Sequence, residues 1–231
     1  MTKALVVLSG GQDSTTCLFW ALQAFDEVHT LTFDYSQRHS LEIEAATEVA
    51  EMAGVVSHEV IRLGPVLGGL SPLTNPDQDL EQYDDYEAMD EIIGDRVELT
   101  FVPLRNAFFL TLAANRAVIK GCTNLVTGIC GSDLANYPDC RSSFISAQEA
   151  TINEALGTDD FQIHTPLSEL DKKGIIELGQ SLEGCWEALA YTHTCYAGVY
   201  PPCGRCHSCV LREEGFRDAG AVDPLLERAA L

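Results

Sequence analysis

The feature that most constrains the fold is an apolar run that breaks into a glycine-rich turn and then opens a helix. Residues 5–16 read LVVLSGGQDSTT. A short aliphatic run followed by glycine predicts a buried strand, and the hydroxyl-rich residues after it predict a helix start. Gly10 and Gly11 allow a close backbone approach to a ligand, while Ser9 and Ser14 offer hydroxyls beside free N–H groups. The segment therefore predicts a cradle for an anion such as pyrophosphate.

The turn has no lysine of its own. None lies between Gly10 and Thr16, so the G-x-x-x-x-G-K-[ST] pattern of nucleoside triphosphatases is absent. Neutralising charge must come from backbone dipoles, Mg²⁺ and residues elsewhere, which disfavours transfer of the γ-phosphoryl group. The string S-G-G-x-D-S resembles the PP-loop of the ATP pyrophosphatases, which attack the α-phosphate of ATP. The alternative, a turn that only packs a helix on a strand, leaves both hydroxyls and Asp13 unexplained.

Composition limits the class of protein and its partners. With 231 residues, of which 46% are hydrophobic, the chain suits one α/β domain with a small appendage. Its net charge of -21, with only 14 basic residues, disfavours binding to nucleic acid or to an acidic membrane and favours a small-molecule substrate. A high-salt proteome and an acidic cytoplasmic protein explain this bias equally well. Because we see no signal peptide and no membrane-length apolar run, we expect a cytoplasmic protein.

Strand and helix patterns alternate along the chain. We expect strands at 3–8, 27–33, 55–63, 124–128 and 161–164, and helices at 14–25, 40–52, 106–119, 142–156 and 171–182. This order predicts an α/β fold with a doubly wound parallel sheet, in which ligands bind beyond the carboxyl ends of the strands. We divide it into a nucleotide-binding domain (1–190) and a C-terminal segment (191–231). Residues 64–98, rich in acids, are expected to form a solvent-facing insertion or lid.

Polar clusters follow several predicted strands. The loop Asp34-Tyr35-Ser36-Gln37-Arg38-His39 offers enough donors for a nucleotide and an anionic substrate, although a solvated turn is the alternative reading. Arg105 and Asn106, at a helix start, suit anion recognition, unless Arg105 only neutralises the acidic insertion. A further cluster contains Asp133, Asn136, Tyr137, Asp139 and Arg141. Cys140 lies within it, and a structural role for this thiol is favoured over a nucleophilic one.

Four of the nine cysteines form a metal-binding pattern. Cys195, Cys203, Cys206 and Cys209 have the spacing C-x7-C-x2-C-x2-C. Four thiolates saturate Zn²⁺ and leave no position for water, so the pattern predicts a structural zinc that pins the C-terminal segment. An iron–sulfur cluster is the main competitor, followed by unbound thiols. We interpret His207 as a bystander.

Seven motifs in order carry a resemblance over essentially the whole chain. S-G-G-Q-D-S, F-D-Y-S-Q-R-H, V-P-L-R-N, Y-P-D-C-R, T-P-L, T-x-T-C-Y and C-G-R-C-H-S-C-V-L-R together resemble the 7-cyano-7-deazaguanine synthases, queuosine-pathway enzymes of the PP-loop class. The chain departs from their pattern at Ser36, where they usually have glycine, and at His193 and Thr194, where they usually have Trp and Ser. These departures concern substrate detail more than reaction class.

The resemblance implies a reaction and the residues that serve it. It implies an ATP-dependent ligase that converts 7-carboxy-7-deazaguanine and ammonia to the nitrile, with structural zinc on the four cysteines named above. The ATP segment carried over comprises Leu8, Ser9, Gly10, Gly11, Gln12, Asp13, Ser14, Thr15, Thr16, Cys17 and Leu18.

The chemistry can be argued from its parts. The carboxyl group must be activated as an acyl-adenylate, because hydroxide is a poor leaving group. Ammonia then gives an amide, and a second ATP activates the amide oxygen for elimination. We expect Asp13 to help bind Mg²⁺, Ser14 to stabilise the leaving pyrophosphate, and His39 to act as a general base. Arg38 and Arg105, with Arg141, are candidates for binding the substrate carboxylate or the phosphates.

Three alternatives stay open. A PP-loop enzyme could stop at the amide, or form NAD or GMP as an amidotransferase. A tRNA-thiolating enzyme would need a basic surface, which a net charge of -21 disfavours. A non-catalytic nucleotide sensor or zinc-ribbon protein would show no ATP turnover. Assembly into a homodimer is left open.

Overall fold

The computed structural model describes residues 1–131 and 136–230. Five parallel strands form one sheet with the order β3-β2-β1-β4-β5. They are β1 (Lys3–Val7), β2 (Glu27–Asp34), β3 (Ser57–Arg62), β4 (Asn124–Val126) and β5 (Gln162–His164). The central strand β1 pairs Val6 with Thr30 of β2 and with Val126 of β4. The predicted parallel sheet is confirmed, with its strands in the predicted places.

Helices cover both faces of this sheet. They are α1 (Gln12–Ala24), α2 (Leu41–Ala53), α3 (Tyr86–Ile93), α4 (Arg105–Ile119), α5 (Ser142–Leu156), α6 (Lys172–Ser181), α7 (Cys185–Leu189), α8 (His207–Asp218) and α9 (Pro224–Ala229). A short 3₁₀ turn, Pro138–Cys140, precedes α5. Both α2 and α5 end at glycines in the left-handed conformation, Gly54 and Gly157, as is typical of helix C-termini.

Alternate residues of the central strands pack in two hydrophobic layers, one on each face of the sheet. Val6 and Val126 point to a layer that contains residues of α1, α2, α6 and α7. Leu5 and Leu125 point to the opposite layer, which contains residues of α4 and α5. Because both faces of the sheet are buried, the central strand β1 is a continuous apolar run rather than an alternating one. The sequence pattern of β1 is thereby explained, and the doubly wound arrangement is confirmed.

The insertion 64–98 differs from the solvent-facing segment that we expected. It contains the helix α3, whose Met89 and Ile93 are buried with Tyr83 against Val210 and Leu211 of α8. The sequence pattern did not predict this packing. The segment has only three buried apolar residues over more than ten positions, which is too few for a clear helical period, and the acids between them dominate its composition. The part of this segment around α3 is therefore docked against α8, while more than half of its residues are exposed, as expected.

The C-terminal segment packs closely on the sheet domain. At the crossing of α6 and α8, a Cβ on Gly215 would lie 2.8 Å from Cβ of Lys172, so only glycine fits. Arg212 and Asp223 form a buried ion pair, with a distance of 2.6 Å from Nε to Oδ2.

Asp133 of the predicted polar cluster lies outside the described residues. Across the described part of the chain, every helix is too short or too polar to span a bilayer.

Candidate active site

A cleft of about 230 Å³ opens at the carboxyl ends of β1, β2 and β4. Its walls come from the glycine-rich loop, from the loop after β2, from the start of α4, and from the segment that leads into the four cysteines. This is the edge at which doubly wound sheets bind ligands. The structure therefore brings together at one place most of the polar clusters that the sequence predicted.

Hydroxyl groups shape the glycine-rich loop. Ser14 Oγ accepts a hydrogen bond from the Ser9 backbone N–H at 3.1 Å and donates to the Gly11 carbonyl at the same distance. The two serine hydroxyls lie 3.0 Å apart. The loop leads directly into α1, whose N-terminal N–H groups and dipole favour a bound anion.

Only part of the predicted ATP segment lines the cleft. The lining members are Leu8, Ser9, Gly11, Gln12, Asp13 and Ser14. Gly10 is buried with a φ of 88°, and a Cβ there would lie 2.1 Å from the Glu42 carbonyl oxygen. The close packing of the loop on α2 therefore requires a glycine at this position. The remaining members, Thr15, Thr16, Cys17 and Leu18, are buried.

Lys172 supplies the cation that the loop lacks. Its Nζ lies 2.8 Å from Asp13 Oδ2 and 3.2 Å from Cys130 Sγ. The other carboxylate oxygen of Asp13 is buried and has no hydrogen-bond partner among the described residues. Sequence reasoning missed Lys172. The only available signal was the pair of lysines after the T-P-L turn, at the start of α6.

His39 and Glu42 form a buried acid–base pair in the cleft wall. His39 Nε2 lies 3.4 Å from Glu42 Oε2, while Glu42 Oε1 accepts a hydrogen bond from Gln37 Nε2 at 2.8 Å. Burial lowers the pKa of His39 to about 3, with help from nearby Arg105 and His193. Burial also raises the pKa of Glu42 to about 8. His39 is therefore neutral at pH 7, and Glu42, which the sequence analysis did not single out, is the group that titrates near neutrality.

Two of the three arginines that were predicted to bind anions, Arg105 and Arg38, have different positions in the structure. Arg105 lines the cleft, where it is hydrogen-bonded to the hydroxyl of Tyr35 and lies near Tyr196 and Asp139. Burial raises the pKa of Tyr35 to about 12, so its hydroxyl stays protonated beside the guanidinium. Arg38 is not brought into the cleft lining. Its guanidinium instead donates to the backbone carbonyls of Asn75, Pro76 and Gln78 in the insertion.

Aromatic rings form one wall of the cleft. The rings of Phe33 and Phe109 are stacked, with centroids 4.2 Å apart and an angle of 16° between their planes. Tyr35 meets Phe109 edge to face at 5.2 Å. A wall of this kind suits a flat heteroaromatic ligand.

The start of α4 is tied to the 3₁₀ turn before α5. The Asn106 backbone N–H donates to Asp139 Oδ2 at 3.1 Å, and its side-chain amide donates to the Asp139 carbonyl at 3.0 Å. Cys140 Sγ accepts from the same amide at 3.5 Å. These bonds link the V-P-L-R-N and Y-P-D-C-R motifs and fix the backbone beside Arg105.

The four C-terminal cysteines form a compact cluster. The sulfur atoms of Cys195, Cys203, Cys206 and Cys209 all lie within 4.8 Å of one another, a spacing that suits one tetrahedral metal ion. Backbone N–H groups of Arg205 and Cys206 point at Cys203 Sγ, at 3.5 and 3.4 Å. The predicted ligand set is thus assembled as a metal-binding cluster.

The segment before this cluster closes one side of the cleft. The His193 backbone N–H donates to the Gly10 carbonyl at 2.8 Å. A Cβ on Gly11 would lie 3.3 Å from Thr194 Cγ2, so the two segments are in close contact. Of the three residues that depart from the pattern of the resembled family, two, His193 and Thr194, line the cleft. The metal-binding segment is therefore part of the site.

The sheet, the glycine-rich loop and the cleft define an α/β protein of the PP-loop type. The chain superposes on NMN synthetase from Francisella tularensis with a TM-score of 0.52 and 15% identity, over 99% of this chain and 82% of that one. It also superposes on a 4-thiouridine synthetase solved with RNA and ATP, with a TM-score of 0.50 and 18% identity, over 99% of this chain and 53% of that one. These similarities concern the fold.

Sequence comparison then identifies the family. The family model described as queuosine biosynthesis protein QueC matches residues 3–220, and the chain belongs to this family of enzymes. It is 49% identical to the 7-cyano-7-deazaguanine synthase of Gloeobacter violaceus, over 97% of this chain and 96% of the relative. It is 41% identical to the enzyme of that name from Bacillus subtilis, over 94% of each chain. The resemblance drawn from the seven motifs is confirmed.

Proposed function

We propose that this enzyme converts 7-carboxy-7-deazaguanine and ammonia to 7-cyano-7-deazaguanine, with two ATP molecules consumed per nitrile. The observation that carries the proposal is the arrangement of the cleft, in which a pyrophosphate-type cradle faces Arg105 and an aromatic wall. The curated relatives that bear this product in their names support the assignment. The net charge of -21 favours a small substrate over a nucleic acid and fits a cytoplasmic enzyme.

The acidic substrate has matching partners in the cleft. A deazapurine ring is flat and apolar on its faces, so the stacked Phe33 and Phe109 provide a surface for it. Its carboxylate is planar and anionic, and the guanidinium of Arg105 offers the charge and geometry to bind it. The Tyr35 hydroxyl, held by Arg105, adds a neutral hydrogen-bond donor. We propose that these residues orient the carboxylate toward the glycine-rich loop.

The first chemical step forms the acyl-adenylate. A carboxylate oxygen attacks the α-phosphorus of ATP, the bond to the bridging oxygen of the β-phosphate breaks, and pyrophosphate leaves with the electron pair. The loop N–H groups, the Ser14 hydroxyl and Lys172 stabilise the charge that develops on this leaving group. The unpartnered Asp13 oxygen fits a Mg²⁺ ligand, and the ion would supply further charge neutralisation there.

Two further steps lead to the nitrile. Ammonia attacks the acyl carbon, the bond to the phosphate oxygen breaks, and AMP leaves. The amide oxygen then attacks a second ATP in the same way, and its elimination as AMP requires the loss of two protons from nitrogen. Glu42 is our candidate for receiving one of them, because its carboxyl lies in the cleft wall and its pKa is about 8. His39, with a pKa of about 3, is better suited to hydrogen bonding than to the general-base role.

The metal on the four cysteines is proposed to be structural Zn²⁺. Four sulfur ligands complete a tetrahedral shell, so such an ion would hold the segment against the loop without contacting substrate. Its contribution is the placement of His193, Thr194 and Tyr196 in the cleft wall.

The test is product analysis on the purified protein. Incubation with ATP, Mg²⁺, ammonium chloride and 7-carboxy-7-deazaguanine should give AMP, pyrophosphate and the nitrile, with the amide as an intermediate that is converted when added back. Chromatography resolves the nucleotides and mass spectrometry the deazapurines. Formation of ADP and phosphate in step with product would contradict attack at the α-phosphate, and accumulation of the amide alone would favour an amide-forming enzyme.

A further inference from the structure

A second, smaller cavity lies between the glycine-rich loop and the four-cysteine segment. Its volume is about 90 Å³, and it shares Gln12, Asp13 and Thr194 with the wall of the main cleft. Lys172, His207 and Leu211 form its far side. A molecule held there would lie next to the groups that surround the reacting phosphate and acyl group.

Apart from Asp13 Oδ1, which is assigned to Mg²⁺ above, three buried polar atoms of residues that line this cavity have no hydrogen-bond partner among the described residues. They are Gln12 Nε2, Thr194 Oγ1 and His207 Nδ1. The side chains of Gln12 and His207 are only 2% and 8% exposed. Buried polar atoms are almost always paired in folded proteins, and leaving each unpaired costs about 1–3 kcal/mol. Three such atoms on one small cavity indicate a small polar ligand.

Size and charge narrow the choice of ligand. A water molecule needs roughly 10–15 Å³ of such space, so the cavity admits a few molecules of that size and excludes a nucleotide or a deazapurine. Two cations, Lys172 and Arg212, line the same cavity, but each is already paired with a carboxylate, that of Asp13 and that of Asp223, so these pairs leave no unbalanced charge for an ion to neutralise. The ligand should therefore be neutral.

We propose that this cavity binds ammonia, the nucleophile of the first half-reaction, and the proposal rests on the function proposed above. Ammonia accepts one hydrogen bond through its lone pair and donates up to three. Gln12 Nε2–H can donate to the lone pair, while Thr194 Oγ1 and His207 Nδ1 can accept from two N–H groups. When ammonia moves to the acyl-adenylate, its lone pair forms the C–N bond and AMP leaves with the electrons of the C–O bond. The proton that nitrogen loses passes to water at the cleft mouth.

Leu211 is the residue that best tests this assignment. It lines the ammonia cavity and also a surface cavity of about 470 Å³, but not the main cleft. A larger side chain at this position should fill the ammonia cavity and leave the binding of ATP and deazapurine intact. The second half-reaction, from amide to nitrile, uses ATP and no ammonia, so it provides an internal control.

The experiment compares Leu211→Phe with the control Leu226→Phe in both half-reactions. Leu211→Phe should raise the KM for ammonium chloride in amide formation by about tenfold or more, the effect of overfilling a small site. It should leave kcat/KM for conversion of added amide to nitrile within about twofold of wild type. Leu226→Phe makes the same change at an exposed position on α9 that lines neither cavity, and it should leave both half-reactions within the same limits. An unchanged ammonium KM in Leu211→Phe, or an equal loss in both half-reactions, would overturn the proposal.

A second pair of variants keeps the test decisive if Leu211→Phe does not fold. Thr194→Val removes the hydroxyl at nearly constant volume, whereas Thr194→Ser retains it. The ammonium KM should rise roughly 3- to 10-fold in the valine variant only, the value of one hydrogen bond. Equal KM values in the two variants would refute a role for Thr194 Oγ1 in binding ammonia. Failure of wild-type protein to make amide or nitrile would instead refute the proposed function itself.

Discussion

The ammonium group of Lys172 lies 2.8 Å from Asp13 Oδ2, although 159 positions separate the two residues in the chain. The pair joins the first turn of α6 to the glycine-rich loop. It places a positive charge beside a loop that contains no lysine, where the leaving pyrophosphate would gather negative charge. In the proposed mechanism, backbone dipoles and this remote cation together take the place of the lysine of the common triphosphatase loop.

Replacing Lys172 should slow the step in which ATP is cleaved and pyrophosphate becomes the leaving group. We expect Lys172→Met to lower kcat by roughly 10² to 10³, the loss typical of one preorganised transition-state contact. Lys173→Met is the matched control, because Lys173 is exposed and pairs only loosely with Glu177, at 3.6 Å. It should retain activity within about twofold. A coupled assay for pyrophosphate gives both rates, and equal activities in the two variants would contradict the role assigned to Lys172.

The sequence predicts the sheet well for a physical reason. A parallel strand buried on both faces favours a short apolar run, and β1 has this pattern, whereas β2 is predicted from its high content of Val, Thr, Leu and Phe. The carboxyl ends of the parallel strands share one edge, so polar residues just after them are predicted to meet, as Ser14 after β1 and His39 after β2 do. The cysteine cluster can also be predicted from the sequence, because a metal shell built on two C-x2-C steps needs few long-range contacts.

The rest of the site depends on contacts that a linear pattern does not encode. Glu42 resembles an ordinary solvent-facing acid in the first turn of α2, and only the packing of the loop against that helix buries it. Lys172 has the same local context as Lys173, and the direction of α6 decides which of the two reaches Asp13. Helices α3, α7 and α9 are short, so their apolar positions are too few to show a helical period.

Ser36 adopts a left-handed backbone conformation that favours glycine. Its φ is 63° and its side chain is exposed, while its N–H donates to Asp34 Oδ1 at 3.2 Å. Ser36→Gly should relieve about 1–2 kcal/mol of backbone strain in the folded chain. Part of this stabilisation is offset because glycine increases the conformational entropy of the unfolded chain. We therefore expect Tm to rise by about 1–3 °C. Ser40→Gly, in the right-handed helical region, should lower it. Calorimetry decides, and a lower Tm for Ser36→Gly would contradict this account.

The four-cysteine cluster should hold one zinc ion per chain and depend on it for stability. Cys206→Ser removes one of four ligands, so we expect loss of bound zinc and a Tm lower by at least about 5 °C. Cys122→Ser is the control for a buried cysteine outside the cluster and should keep its zinc. Elemental analysis and thermal melts give both quantities. Iron in place of zinc, or a fully stable metal-free Cys206→Ser protein, would contradict the assignment.

The buried carboxyl of Glu42 should make stability fall as pH rises. Burial raises its pKa from an ordinary 4.5 to about 8 in the folded chain. Between these values the folded chain holds a proton that the unfolded chain releases, so the free energy of unfolding falls by up to about 1.4 kcal/mol per pH unit. His39 has the opposite effect on stability. Its pKa falls from 6.5 to about 3 in the folded chain, so the stability that its neutral form contributes is lost as the pH falls below 6.5.

A comparison of Glu42→Gln with wild type between pH 6.5 and 8.5 isolates this effect, because His39 is neutral in both proteins over that range. Glutamine keeps the oxygen that accepts from Gln37 but cannot ionise. We expect the stability of wild type relative to the variant to fall by about 2 kcal/mol across the window, or about 4–8 °C in Tm. Glu44→Gln, at an exposed position on the same helix, should show no such trend. If the Tm values of wild type and Glu42→Gln changed with pH in parallel, Glu42 would ionise as freely in the folded chain as in water. Its proposed role as a proton acceptor in the cleft would then be wrong.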